Sequence, residues 1–168
     1  IDRFNAAGLL AILGCLMLGG ALAFQYLGGL EPCALCIEQR KAWGAAVLLA
    51  SVALLADRQS QGVLALATLG LAAVAALVGA GFAAFHVGVE QHWWTGAAAC
   101  GAGFENFSQG GLADMRERLL ARPVVRCDEI AWSFLWISMA GWNGLIALAA
   151  SVGTLYVVIR DVRGLRKP

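Results

Sequence analysis

The chain has 168 residues, of which 60% are hydrophobic and 14% charged, and its net charge is +1. A water-soluble domain carries about 25% charged residues, so composition places the chain among membrane proteins. The small net charge gives no basis for binding nucleic acid or capturing an acidic substrate. Five cysteines are too few for a small disulfide scaffold, and their positions say more than their number.

Four uncharged stretches follow one another along the chain: Ala6 to Phe24, Ala42 to Ala56, Gly62 to Phe85 and Phe134 to Ile159. A hydrocarbon core of roughly 30 Å needs about 20 residues of helix. The first, third and fourth stretches meet that length. The second has 15 residues and reaches 21 only if its helix starts back at Cys36. Helices are the expected form, because backbone in lipid must satisfy its own hydrogen bonds. The predicted fold is therefore an all-α membrane protein, a bundle of four transmembrane helices forming a single membrane domain over residues 1–168. Spans are expected at about 6–24, 37–56, 62–85 and 134–159. Ala21-Leu22-Ala23 resembles a signal-peptide cleavage site, but the apolar run before it exceeds the usual length of about 7–15 residues and further spans follow. A retained span is the preferred reading.

Between the spans, Gln25 to Lys41 forms a loop of moderate length, and residues 25–36 of it are expected to lie outside the membrane. Asp57 to Gln61 is a tight polar turn, which makes spans two and three an antiparallel hairpin. Residues 87–133 form a long second outer loop. Within it, Leu112, Met115 and Leu119 recur at helical spacing, and Pro123 closes the run. That pattern fits a short helix in the interface plane or a small helix packed on the loop. Trp93, Trp94, Trp132 and Trp136 flank spans three and four and read as an aromatic belt. Six Lys or Arg side chains fall on each side, so counting does not orient the chain. The tail with Arg160, Arg163, Arg166 and Lys167 is a dense basic cluster beside a span, which favours cytoplasmic termini. Arg40 and Lys41 then defy the rule, and a charge that defies it has room for another task.

Glu31-Pro32-Cys33-Ala34-Leu35-Cys36 is the most informative segment. Pro32 suits the first position of a helix. A helix starting there continues through Arg40 and supplies the residues that span two lacks. Cys33, Cys36 and Arg40 are then spaced i, i+3 and i+7 on one face, with both thiols in the first turn, where the helix dipole favours an anion. C-x-x-C thiols at helix starts can have pKa values well below about 8.5. Arg40 could stabilise a thiolate or polarise a carbonyl acceptor. Its plainer reading is a side chain snorkelling to lipid head groups.

Cys100 and Cys127 lie two spans further on, so they reach the same side of the membrane as Cys33 and Cys36 whichever way the protein faces. Disulfides persist outside the bacterial cytosol, and the favoured orientation puts all four there. The close spacing of Cys33 and Cys36 favours their mutual pairing, which leaves Cys100 with Cys127. Cys15, inside span one, reads as an inert core or lipid-facing thiol. Two other readings compete for the four loop cysteines: two structural disulfides that brace the loops of a non-enzymatic membrane protein, or one zinc site. Zinc sites usually come as two C-x-x-C units, and here the second pair is 27 positions apart. No metal is expected.

Pro32-Cys33-Ala34-Leu35-Cys36-Ile37-Glu38-Gln39-Arg40 closely resembles the P-C-x-L-C-I-x-x-R segment of the DsbB family, bacterial membrane oxidases that re-oxidise the thiol oxidase DsbA. Cys127-Asp128-Glu129-Ile130-Ala131-Trp132-Ser133-Phe134-Leu135 resembles the run after that family's last cysteine. The likeness covers nearly the whole chain. It implies a protein-disulfide:quinone oxidoreductase of the bacterial inner membrane, multi-pass, with cytoplasmic termini and periplasmic cysteine loops. It implies a DsbA-like periplasmic thiol oxidase as partner and a quinone, ubiquinone or menaquinone, as acceptor from the membrane pool. A sibling oxidase devoted to one dedicated substrate shares these features. By the likeness, Cys100 would take the mixed disulfide with the partner and Cys127 would be its loop mate. Cys33 would exchange with that pair, Cys36 would face the quinone in a thiolate charge-transfer contact, and Arg40 would lie beside a quinone carbonyl. The family has a histidine near the outer end of span three. Glu90-Gln91 stands where it shows Glu-His, so the likeness does not assign the role between His86 and His92, and each is expected by default to be a satisfied interfacial side chain.

Overall fold

In the computed structural model, residues 1–96 and 125–165 are described. The helix expected around Leu112, Met115 and Leu119 lies outside the described residues, as does Cys100. Among the described residues there are four helices: α1 (Arg3–Tyr26), α2 (Ala34–Arg58), α3 (Gly62–Glu90) and α4 (Met139–Leu165). A two-stranded ribbon, β1 (Ser133–Phe134) paired antiparallel with β2 (Ile137–Ser138), precedes α4. α1, α3 and α4 are long and apolar enough to cross a membrane. α2 is as long, but it carries Glu38, Arg40 and Lys41 in its first turns and Asp57 and Arg58 at its end. The helix does start ahead of Cys36, as expected, and runs for 25 residues.

The bundle is small inside and large outside. One buried cluster joins Leu10, Trp43, Ala46, Ala50, Ala72, Ala76, Ala80 and Ala147, while Leu9, Ile12, Leu48, Val63, Leu71, Val152 and Tyr156 are exposed. Lipid is as apolar as leucine, so helices in a bilayer gain by close backbone approach through small residues. A Cβ added to Gly79 would stand 3.1 Å from the Ala42 Cβ. Gly79→Leu is therefore expected to destabilise the α2–α3 contact by about 1–3 kcal/mol, read as a lower unfolding midpoint in detergent. Ser151, deep in α4, donates to the Ala73 carbonyl at 2.8 Å and ties α4 to α3.

The end of the bundle away from the cysteines collects the expected basic residues. Arg3 pairs with Asp57 at 2.5 Å, Arg58 lies 5.6 Å over the Phe4 ring, and Arg160 donates to the Ile1 carbonyl at 2.7 Å. The tight turn holds Ser60 at φ 60° between α2 and α3.

Two boundaries differ from the sequence reading. Pro32 is not the first helical residue: Cys33 is the N-cap, with extended backbone and its sulfur accepting from the Cys36 N–H at 3.3 Å. The thiol takes the place that a serine or aspartate side chain usually fills, and Pro32 stands one position outside. The fourth helix begins at Met139 rather than Phe134. Leu135 and Trp136, at φ 50° and 62°, are the two central residues of a hairpin turn whose twist suits such left-handed positions. Hydropathy alone could not separate this apolar ribbon from the helix behind it. Trp136 at the tip is 98% exposed.

Candidate functional site

The α2 N-terminus places the two thiols of the C-x-x-C motif together, ahead of the stretch expected to form the second span (residues 37–56). Cys33 Sγ and Cys36 Sγ lie 2.8 Å apart. Cys33 is buried and Cys36 half-buried. The hydrogen bond from the Cys33 thiol pulls the Cys36 thiol down to about 7 against the cost of burial, and the Arg40 guanidinium adds to the effect. The same hydrogen bond, with burial and the charge on Cys36, pushes the Cys33 thiol up. In the dithiol form, Cys36 is thus the anion and Cys33 holds the proton. Alkylation of Cys36 in the reduced chain is expected to rise with pH through about 7, because only the thiolate reacts. In Cys33→Ala, which lacks the donor, the inflection is expected to move up towards that of an ordinary thiol, about 8.5, measured by mass spectrometry of the alkylated chain.

Cys127 is 1% exposed and packs with Cys33, Leu35 and Val89 in one buried cluster. Three of the four loop cysteines named by the sequence are thus gathered at one end of the bundle. Cys15 is exposed on α1, away from this group. Cys15→Ala is expected to leave turnover unchanged within about twofold, since an exposed thiol in an apolar stretch contributes neither charge nor packing.

Arg40 does not snorkel outward. Its guanidinium donates to Gln25 Oε1 at 2.5 Å and to the Ala21 carbonyl at 3.1 Å, both at the end of α1. Lys41 turns to the surface and pairs with Glu38 at 2.6 Å. Arg40, Cys36 and Cys33 line a cavity of about 460 Å³. Its walls are largely apolar: Leu16, Met17 and Phe24 from α1, Trp43 from α2, Trp142 from α4, and Trp132 and Phe134 from the ribbon. Phe24 and Trp132 meet at 5.3 Å, and Trp132 stacks on Phe134 at 6.2 Å, so the tryptophan expected in an interfacial belt forms part of the wall. An apolar chamber of this size with a few convergent polar groups is the usual form of a small-molecule site. It fits a flat, uncharged, lipid-soluble ring bearing carbonyl oxygens: the guanidinium keeps N–H groups beyond the two already bonded, and a thiolate stands beside them.

Sequence reasoning gave no role to Gln39 or Asn143 behind the thiols and did not place His86 beside them. His86, 5% exposed, has Nε2 3.6 Å from Cys33 Sγ and Nδ1 3.0 Å from Gln39 Nε2. Gln39 Oε1 accepts from Asn143 Nδ2 at 2.5 Å, and Asn143 Oδ1 accepts from Trp43 Nε1 at 2.7 Å. Glu90 Oε1 is 3.9 Å from His86 Nε2, and Ser138 Oγ donates to the other Glu90 oxygen. His86 is satisfied, as expected of it, but it sits against a reactive sulfur. The signal was present in Asn143, a polar side chain deep within an apolar run, where such residues mark functional sites. His92 has no comparable place. It lies just past the end of α3 at φ 57°.

The ligand atoms of Cys33, Cys36 and His86 lie within 4.8 Å of one another, a set that offers three donors to a metal ion.

The family model described as "Disulfide bond formation protein DsbB" matches residues 3–157. Curated relatives named disulfide bond formation protein B include that of Methylococcus capsulatus, 37% identical over 80% of this chain and 81% of the relative. That of Nitrosococcus oceani is 33% identical over 92% and 90%, and that of Chromohalobacter salexigens 36% identical over 90% and 91%. No solved structure is a significant match. A match across nearly the whole chain, joined to the paired thiols at the start of α2, settles the family: this chain belongs to the DsbB family of disulfide bond formation proteins.

Proposed function

We propose that this chain re-oxidises a DsbA-like periplasmic thiol oxidase and passes the electrons to a quinone, ubiquinone or menaquinone, in the bacterial inner membrane. The observation that carries this reading is the cavity lined together by Cys36, Cys33 and Arg40, with Cys127 buried beside Cys33. All 168 residues act as one membrane domain of four spans, with both termini in the cytoplasm and the cysteine loops in the periplasm. α2 joins the other three helices as the second span. Its uncharged stretch is backed on one side by α1 and on the other by α3, so it needs less apolar surface than a helix bathed in lipid.

The chemistry follows from thiolate attack on disulfide sulfur. The partner's dithiol reduces the Cys100–Cys127 disulfide through a mixed disulfide at Cys100. Cys127 then attacks Cys33 in the Cys33–Cys36 disulfide, and the electron pair of the breaking bond leaves on Cys36. Cys36 suits a leaving group, because its thiolate is stable at neutral pH. The second loop thiol frees Cys33, and the two electrons rest on the α2 pair. A DsbA-type disulfide lies at about −120 mV, a known property of that class. The final acceptor must therefore be more oxidising than a glutathione pool, and a bound quinone supplies a two-electron, two-proton acceptor of that kind. Arg40 would hold the acceptor by a carbonyl oxygen on the cavity wall it shares with Cys36, and the largely apolar lining would keep water out.

Thiol trapping tests this reading. After mild reduction, addition of quinone should re-form the Cys33–Cys36 disulfide within seconds, seen as protection from a maleimide. Cysteines that resist reduction, or stay reduced with quinone present, would mean that the disulfides only brace the loops.

A further inference from the structure

The row of hydrogen bonds behind Cys33 has a direction. Trp43, Asn143, Gln39 and His86 are 3%, 9%, 6% and 5% exposed, so water does not interrupt it. An indole N–H can only donate. Trp43 Nε1 therefore makes Asn143 present its oxygen, at 2.7 Å. The Asn143 amide nitrogen then faces Gln39 Oε1 at 2.5 Å, which leaves Gln39 Nε2 to donate to His86 Nδ1 at 3.0 Å. A neutral imidazole that accepts at Nδ1 carries its proton on Nε2, and Nε2 is the atom 3.6 Å from Cys33 Sγ.

We propose that His86 is a fixed hydrogen-bond donor to the Cys33 sulfur and not the base that removes its proton, with Gln39, Asn143 and Trp43 as the positioning residues that lock its tautomer. This rests on the thiol-exchange reading above. A histidine beside a cysteine is ordinarily read as a base, and here the donor order runs the other way. The role falls where Cys33 must leave. When the second loop thiolate attacks Cys127 in a Cys33–Cys127 disulfide, the new bond joins the attacker to Cys127. The old bond breaks and its electron pair stays on Cys33 Sγ. No oxidant enters and no proton is consumed. The departing sulfur meets two N–H donors, the Cys36 backbone at 3.3 Å and His86 Nε2.

The titratable groups facing His86 are Cys33 and Cys36 from α2, Glu90 from its own helix at 3.9 Å, and Cys127, whose backbone carbonyl also accepts from the ring. Arg40 lines the same cavity. The only other histidine is His92, so nitrogen NMR of the reduced full chain labelled with ¹⁵N-histidine can be assigned with His92→Gln. The expected spectrum shows His86 protonated on Nε2 and bare on Nδ1, unchanged between about pH 5.5 and about 8.5, a window that spans the ordinary histidine pKa. In Gln39→Glu the carboxylate can only accept, and the proton is expected to appear on Nδ1. A wild-type Nδ1 proton, an imidazolium forming near 6.5, or a Gln39→Glu spectrum identical to wild type would each overturn the proposal.

Kinetics give a second readout. His86→Phe is expected to slow release of Cys33 by roughly 10- to 100-fold, the effect of one hydrogen bond to a charged group, while the pH–rate profile keeps its shape. His86→Gln, which retains an N–H, should recover at least about tenfold of that loss. An inflection near 6.5 that disappears in His86→Phe would mark a base and reject the assignment. The NMR result needs no quinone. If quinone reduction were absent while the tautomer was as stated, the proposed function would fail and this arrangement would stand.

Discussion

Cys36→Ser is expected to abolish quinone reduction, a fall on the order of 10³-fold or more, while the helical bundle stays intact. A serine hydroxyl is uncharged at neutral pH, whereas the Cys36 thiol is pulled down to about 7 by the Cys33 hydrogen bond and Arg40. The substitution removes the anion at the cavity wall and one partner of the proposed Cys33–Cys36 disulfide, and it changes the volume by little. The loop thiols are untouched. A Cys36→Ser chain should still form a mixed disulfide with a reduced DsbA-like partner, trapped on a non-reducing gel. It should do so without turning over. Helix content by circular dichroism should match that of the parent. Quinone reduction at the parent rate would remove Cys36 from the electron route.

Arg40→Ala is expected to raise the apparent KM for quinone by roughly 10- to 100-fold, which corresponds to about 1.5–3 kcal/mol for a charge-assisted hydrogen bond. Exchange with the protein partner should slow much less. Arg40 also bonds Gln25 and the Ala21 carbonyl, so the alanine variant loosens the end of α1 as well. Arg40→Lys separates the two effects. It keeps the charge but not the planar fork that reaches α1 and the cavity together, so KM should fall between the parent and the alanine variant. An unchanged KM in Arg40→Ala would place the guanidinium outside the quinone site.

Much of this arrangement was legible in the sequence because it depends on local spacing. Cys33, Cys36 and Arg40 are neighbours on one helix, so the motif alone predicts that they share a face. The apolar runs predict the helices, and the Asp57–Gln61 turn predicts that α2 and α3 are antiparallel. What the sequence hid depends on contacts between distant elements. His86 meets Cys33 across 53 positions and Asn143 meets Gln39 across 104, and nothing in their local spacing announces either pairing. The start of α4 was hidden for another reason. Phe134 to Ser138 are as apolar as the helix that follows, and only the left-handed backbone of Leu135 and Trp136 turns them into a ribbon. That ribbon brings Trp132 and Phe134 to the cavity wall, so an error of five residues in a boundary conceals a wall of the site.

Arg40 also shows how a departure from a general rule carried information. Its position on the side opposite the basic tail runs against charge-based orientation. The structure explains the exception by giving the guanidinium buried partners and a cavity to face. Lys41, one residue on, has an ordinary surface ion pair with Glu38 and needs no such explanation.

The electron route is tested most directly by stoichiometry. The purified chain, reconstituted in lipid vesicles with ubiquinone or menaquinone, should be mixed with a reduced DsbA-like protein, and quinol and partner disulfide counted together by absorbance and thiol titration. One quinol should appear for each partner disulfide formed, and both should stop together when quinone is withheld. Partner oxidation that proceeds without quinol, or quinol that forms with no loss of partner thiols, would contradict the transfer of electrons from sulfur to a lipid-dissolved acceptor through this cavity.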